Sequence, residues 1–364
     1  MVYYILSICL LRGNMINLLG KDENFIASVC AALSLPGYRA RQIYGWSSKG
    51  VSVEDMTNLP LAVRSALTGA GYGVMLPEIA EKYVSRVDGT VKYLMRLGDG
   101  EMIESVVMSY RYGKTICVSC QAGCRMGCRF CASTLNGLKR NLTCDEILGQ
   151  VYAASRDVGE RISGIVMMGI GEPLDNYDSS VAFIRAAGNP DGLNIGMRHI
   201  SLSTCGIVPG ILGLADEDLP VTLSVSLHSI DTEKRKKIMP VTNAWSVEEI
   251  LSACRCYFEK TGRRISFEYT LIAGENDSEE DARQLATGLK KHLGRIPLHV
   301  NLIPLNPVSE RDLRKSGREN VDRFKRNLVG SGVNATVRRR LGPDINASCG
   351  QLRYSRALSE RNNE

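Results

Sequence analysis

Three cysteines fall close together at Cys124, Cys128 and Cys131. Thiolates in such a C-x3-C-x2-C run are soft ligands suited to an iron–sulfur cluster or to zinc. The same spacing would also set three small apolar residues along one helix face. Gly123 and Gly127 oppose a helix there, so the expectation is a loop that wraps its thiols around a common centre. Three thiols leave one corner of a cubane cluster without a protein ligand, which is what a substrate-binding cluster needs. Cys120, just ahead of the run, could supply a fourth ligand and close the site.

The chain carries twelve cysteines in 364 residues. With no convincing export signal, they read as buried, metal-binding or catalytic rather than as a disulfide framework. Cys349 follows the basic, strand-like Val337-Arg338-Arg339-Arg340 and lies in a stretch rich in Gly, Pro and Asn. A lone cysteine is usually a small hydrophobe, but Ala347, Ser348 and Gly350 would let another molecule approach closely.

From about Gly89 strands alternate with helices. Val91–Leu97 and Met102–Tyr110 read as strands around the Gly98-Asp99-Gly100 turn. Further strands are expected at 115–119, 164–168, 199–203, 221–226, 265–271 and 299–303. Helices are expected at 144–158, 178–187, 247–261 and 279–292. Repeated β-then-α units predict a parallel sheet with right-handed crossovers, and so an α/β fold with a partial or complete (β/α) barrel. In such a sheet ligands sit at the carboxyl ends of the strands. Five polar or glycine-rich loops fall there: Gln121–Cys124, Gly169–Glu172, Ser203–Gly206, Ser226–His228 and Pro304–Pro307. Taken singly, Glu172 could cap a helix, His228 could be a core histidine and Asn306 a turn residue. Together the five loops predict one shared site.

Upstream, from Met15 to about Arg86, the pattern is helical, with Phe25, Val29 and Leu33 at helical spacing. The expected organisation is an N-terminal extension (1–14), a small helical accessory domain that binds RNA (15–88), a β-hairpin extension (89–109), the barrel core (110–344) and a C-terminal segment (345–364). Val2–Leu11 is apolar but too short to span a bilayer, so no membrane partner is expected. The net charge of +6 fits an anionic partner such as nucleic acid. Aromatics make up only 6% of residues, which argues against a broad stacking platform for single strands.

The cysteine run with Phe130 before its last thiol resembles the radical S-adenosylmethionine superfamily. A narrower resemblance covers about Met15 to Leu352. It rests on Cys117-Val118-Ser119, Gly137-Leu138-Lys139-Arg140-Asn141-Leu142, Met167-Met168-Gly169-Ile170-Gly171-Glu172-Pro173-Leu174 and Ala347-Ser348-Cys349-Gly350-Gln351-Leu352. These are similar to the dual-specificity ribosomal and transfer RNA adenine-C2 methyltransferases. Two positions bear on that likeness. Cys120 stands where the family usually has serine. Pro173 stands where a sister group that methylates adenine C8 typically has alanine, which favours C2.

The resemblance implies a [4Fe-4S] cluster on Cys124, Cys128 and Cys131 and two S-adenosylmethionine molecules per turnover. Gly171 and Glu172 would hold the cofactor's amino group, with Ser203, Ser226, Leu227, His228 and Asn306 around its nucleoside and carboxylate. Cys349 would carry the methyl group, and a 5′-deoxyadenosyl radical would activate it for addition to C2. Glu104 would take the C2 proton from the protein–RNA adduct. Cys117 would release the product by forming a disulfide with Cys349. The implied substrates are an adenosine in the peptidyl transferase centre of 23S rRNA and the adenosine 3′ of the tRNA anticodon. A cytoplasmic setting, an electron donor and a disulfide reductant follow. Lys139, Arg140, Arg338, Arg339 and Arg340 are candidates for phosphate contacts. The competing readings are a C8 methyltransferase, a radical enzyme acting on a non-RNA substrate, and a non-enzymatic RNA-binding protein with a structural metal.

Overall fold

The computed structural model describes residues 15–353 and 355–356. The apolar stretch at 2–11 lies outside the described residues. Among those described, no helix is long and apolar enough to cross a membrane.

Three helices open the described chain: α1 (Glu23–Ala32), α2 (Arg39–Ser47) and α3 (Leu61–Gly69). Their inward faces, with Ile26, Val29, Ile43, Val63 and Leu67, form an apolar cluster separate from the main core. The helical reading up to Arg86 is corrected at its end. Glu78–Val84 is strand β1, the edge of the main sheet, and pairs antiparallel with β2 (Val91–Arg96). It buries no residue fully, so the apolar alternation that marks a strand is missing.

The sheet has eleven strands. Strand β3 (Glu101–Tyr110) pairs antiparallel with β2 and with β4 (Gly113–Cys117). From β4 onward every neighbour runs parallel, through β5 (Ile162–Met167), β6 (Ile200–Thr204), β7 (Thr222–Ser226), β8 (Ile265–Leu271), β9 (Leu298–Pro304) and β10 (Ala335–Val337). Ten of them follow in linear order, with β1 and β10 at its edges, and the eleventh, Ser355–Arg356, pairs antiparallel with β3 off that path. The core is therefore a partial barrel and not a closed one.

The long crossover helices are set by their ends. Helix α4 (Cys144–Val158) starts on a Thr143–Glu146 capping box and stops at left-handed Gly159. After α5 (Tyr177–Gly188) comes α6 (Val208–Asp216), which the sequence concealed. Two glycines dilute its helical pattern. They are there for packing, since a Cβ on Gly210 would stand 2.7 Å from Leu174 and one on Gly213 2.9 Å from the Tyr177 hydroxyl. The short α7 (Thr232–Ile238) is followed by α8 (Val247–Thr261), capped by Ser246 and Glu249, and α9 (Glu279–Leu293), capped by Ser278 and Asp281. Helix α10 (Arg318–Gly330) precedes β10. The helical N-terminal unit is clasped to α4, where Arg156 donates to Gly50 O at 2.7 Å and the Tyr152 hydroxyl to Ser48 O.

Candidate active site

The cysteine run is a loop and not a helix. Gln121–Gly123 and Leu138–Asn141 pair as a short antiparallel ribbon, and the thiols hang from its far end. Gly123 has φ +79°, and a Cβ there would lie 1.9 Å from Gly137 O, so only glycine lets the two arms approach. The Thr134 hydroxyl donates to Cys128 O and Cys131 O at 3.1 and 3.0 Å, fixing the turn between them. All three thiols line one cavity of about 900 Å³, partly open to solvent. Burial pushes the Cys124 thiol up to about 12 and those of Cys128 and Cys131 upward as well; Cys124 and Cys128 are raised further by Cys131, and Cys131 by Cys349. Cys120 is buried under Gly171 and is not on the cavity wall.

The carboxyl ends of the parallel strands make the rest of the wall. Gly171 and Glu172 follow β5, Ser203 is next to last in β6, Ser226 ends β7 with His228 just beyond it, and Asn306 follows β9. Glu172 is buried. Its carboxylate accepts from the backbone N–H of Leu174 (3.0 Å) and of Cys205 (2.7 Å), joining the loops after β5 and β6. Burial still raises its pKa from the ordinary 4.5. The hydroxyls of Ser203 and Ser226 make no hydrogen bond among the described residues and are available to a ligand. His228 sits at φ +56°, and its Nδ1 accepts the Thr270 N–H at 2.8 Å. That bond makes the ring neutral, with its proton on Nε2. Burial first, then the Arg235 charge, lowers its pKa to about 3. The Phe130 ring meets it edge-on at 4.6 Å. Leu227 is fully buried and turned away from the cavity, so it offers the site only backbone.

Arg235, which the sequence did not single out, holds this wall together. It is 0% exposed and has no carboxylate partner among the described residues. Its guanidinium donates to Leu227 O (3.0 Å), Ser226 O (3.0 Å), Cys205 O (2.5 Å) and the Thr242 hydroxyl (2.7 Å). One buried cation thus staples the loops after β6 and β7.

Cys349 lies on the same cavity wall as the three loop thiols. Asn306 Nδ2 donates to its carbonyl at 3.1 Å. The cysteine loop grips the residues beyond it: the Ala132 N–H donates to Gly350 O at 2.8 Å, and the Ser133 hydroxyl to Leu352 O at 2.8 Å. Cys117 is buried at the end of β4, off the wall but within electrostatic reach of Cys349. Burial, then the Cys349 charge, pushes its thiol up to about 12, and Arg338 opposes the rise. Arg338 turns inward, contrary to the phosphate contact expected of it. Its guanidinium lies 3.4 Å from Glu268 Oε2 and 3.3 Å from Met168 Sδ, beside both thiols. Glu268 was missed in the sequence, although a carboxylate inside the apolar strand β8 is itself a signal. Arg140 is likewise committed, to Asp99 and Glu146 at 2.6 and 2.7 Å.

Glu104 is off the cavity wall. It lies on the face of β3 that carries Val106, the partner of Cys117. Its carboxylate meets Lys92 Nζ at 3.1 Å and accepts the Arg353 N–H at 2.8 Å. Burial outweighs both contacts and raises its pKa.

The donor set fits an iron–sulfur cluster. No three His, Cys, Asp or Glu side chains among those described are grouped tightly enough for a single metal ion. Three thiols on the wall of one open cavity suit a wider, cationic, multi-iron core. An open parallel sheet with such a loop after its first parallel strand is the architecture of a radical S-adenosylmethionine protein, and residues 118–286 match the Radical SAM superfamily. The chain is 50% identical over 341 residues to the probable dual-specificity RNA methyltransferase RlmN of Clostridium tetani, covering 93% of this chain and 96% of that one. It is 50% identical over 339 residues to the protein of the same name from Symbiobacterium thermophilum, covering 92% and 90%. The crystal structure of a radical SAM methyltransferase from Sphaerobacter thermophilus superposes with a TM-score of 0.87 at 40% identity, over 93% of this chain and 99% of that one. The chain belongs to the RlmN family of radical S-adenosylmethionine RNA methyltransferases. Its cofactors are a [4Fe-4S] cluster and S-adenosylmethionine.

Proposed function

We propose that this enzyme methylates C2 of adenosine, in the peptidyl transferase centre of 23S rRNA and 3′ of the tRNA anticodon, with Cys349 as methyl carrier. The carrying observation is that Cys349 faces the same cavity as Cys124, Cys128 and Cys131, with Cys117 near enough to feel its charge.

The three loop thiols hold the cluster. Gly171 and Glu172 orient the cofactor's amino group, while Ser203, Ser226, His228, Asn306 and the Leu227 backbone surround the rest. When bound, the cluster and S-adenosylmethionine supply the methyl group and the hydrogen-abstracting chemistry that an electron-poor carbon requires. Cys349 attacks as the thiolate, with the Arg338 guanidinium beside it. Once the methyl carbon is joined to adenine, the base is tethered through Cys349. Glu104 takes the C2 proton, a task its burial suits by raising its basicity. Cys117 then forms a disulfide with Cys349 as the carbon–sulfur bond breaks, and a thiol reductant reopens it.

The helical unit that contains Leu18 to Tyr72 is assigned to RNA contact, and residues 345–364 to the methyl-carrying segment. RNA substrates of this kind place the reaction in the cytoplasm, where an electron donor reduces the cluster. The test is to map methylated adenosine in RNA from cells with and without the gene. C2-methyladenosine at both sites, lost with the gene, is expected. Methyl at C8, or no change in RNA, overturns the reading.

A further inference from the structure

A second cavity, of about 540 Å³, adjoins the first, and Cys349 and Arg338 line both. Its outer wall carries Lys315, Arg339 and Arg340, all exposed. None of these three has an acidic partner among the described residues, and no carboxylate lines the cavity. The contrast with nearby cations is sharp. Arg140 and Arg353 are bound in ion pairs at 2.6 and 2.5 Å. Three free cations converging on a cavity that opens on the reactive cysteine is an anion site.

Tyr110 also lines this cavity. Tyr112 stacks on it with ring centroids 5.0 Å apart and planes 4° from parallel. Tyr112 is 74% exposed at the turn between β3 and β4, with Arg111 exposed beside it. A large aromatic ring held flat against its neighbour and open to water has no core to serve. Its free face is a plate the size of a nucleobase.

We propose that the second cavity and the Tyr110–Tyr112 stack are the docking site for the RNA strand flanking the target adenosine. The proposal rests on the RNA substrate argued above and locates where that RNA lies. Lys315, Arg339 and Arg340 contact the phosphates on either side of the target nucleotide. A neighbouring base stacks on Tyr112 and offsets the cost of taking the target out of its own stack. The target base passes between Tyr110 and the basic wall to reach Cys349.

The test is equilibrium binding of the anaerobically reconstituted holoenzyme to a transfer RNA anticodon stem-loop, read by fluorescence anisotropy at several salt concentrations. Tyr112→Ala should bind roughly five- to hundredfold more weakly, and Tyr112→Phe should restore binding. Lys315→Ala and Arg340→Ala should each weaken binding and flatten the slope of log K against log salt by about 0.7. Iron content and circular dichroism of each variant report that it is folded. Wild-type affinity and slope in Tyr112→Ala and Arg340→Ala would remove this assignment while leaving the methyltransferase reading in place. A wild-type enzyme that neither binds nor methylates the stem-loop would bring down both. A polyglutamate peptide competing as well as RNA of equal charge would also overturn the stacking site.

Discussion

The backbone N–H of Arg353 donates to Oε2 of Glu104 at 2.8 Å, fastening the segment that carries Cys349 to the face of β3 beside Cys117. Oε1 of the same carboxylate is held by Lys92 at 3.1 Å. Glu104 is thus both the assigned proton acceptor and the anchor of the segment it serves. Glu104→Gln retains an acceptor for Arg353 but not the basicity. The variant should fold, bind iron and load methyl on Cys349, yet stall with RNA attached. Mass spectrometry of the Cys349 peptide after nuclease digestion checks this, and normal turnover would refute the acid–base role. Stability gives a second readout. The folded pKa lies above the ordinary 4.5, so folding favours the protonated form. That contribution is full at acid pH and fades as pH rises through the folded value. The stability of wild type relative to Glu104→Gln should therefore fall as pH rises toward neutrality.

His228 has the opposite pH signature. Its folded pKa is about 3 against an ordinary 6.5, so acid protonates the unfolded chain first. Its share of stability is present above about pH 6.5 and should decline by about 2 kcal/mol by about pH 5. Denaturant titrations of wild type and His228→Gln over that range should diverge accordingly. Parallel curves would mean the ring titrates normally.

Cys117 and Cys349 should fail at different stages. Cys117→Ala should accumulate protein covalently joined to RNA through Cys349. Cys349→Ala should give neither methyl carrier nor adduct. A denaturing gel with and without nuclease separates the two. Normal turnover in Cys117→Ala would show that another thiol releases the product.

Cluster assembly depends on a backbone contact as much as on thiols. Gly123→Ala should lose most of its iron, because the new methyl group would collide with Gly137 O. Ala at Cys124, Cys128 or Cys131 should abolish activity. Cys120→Ser should keep full iron content, since that side chain lies off the cavity wall. Iron analysis with visible absorption decides each case.

Arg235→Lys should destabilise the protein by about 3 kcal/mol and weaken S-adenosylmethionine binding, because one ammonium cannot serve four divergent acceptors. Thermal denaturation and equilibrium dialysis measure the two effects. A variant unchanged in both would show that the loops after β6 and β7 are held by other contacts.

The parts of the site that were legible in the sequence are those with a local signature. Gly123 and Gly127 marked the cysteine run as a loop, and the helices expected at 144–158, 247–261 and 279–292 are α4, α8 and α9, which the structure shows starting on Thr143, Ser246 and Ser278 caps. What stayed hidden depends on partners far along the chain. Nothing near Arg235, in a run of Lys and Arg on a short helix, tells that it is wholly buried. Arg338 looked like its neighbours Arg339 and Arg340, and only the inward carboxylate of Glu268, 70 residues earlier, distinguishes it. Helix α6 was masked by glycines whose reason is tertiary, and β1 by having no buried face to alternate.

The two hydrogen bonds from Ala132 and Ser133 to Gly350 and Leu352 have a consequence for biosynthesis. Cys349 leaves the ribosome after all ten strands from β1 to β10. Until Gly350 and Leu352 reach the cysteine loop, the cavity lacks that wall and its thiols stand open to whatever delivers iron and sulfide. The order of translation therefore leaves the cysteine loop accessible until the segment bearing Cys349 docks against one side of it.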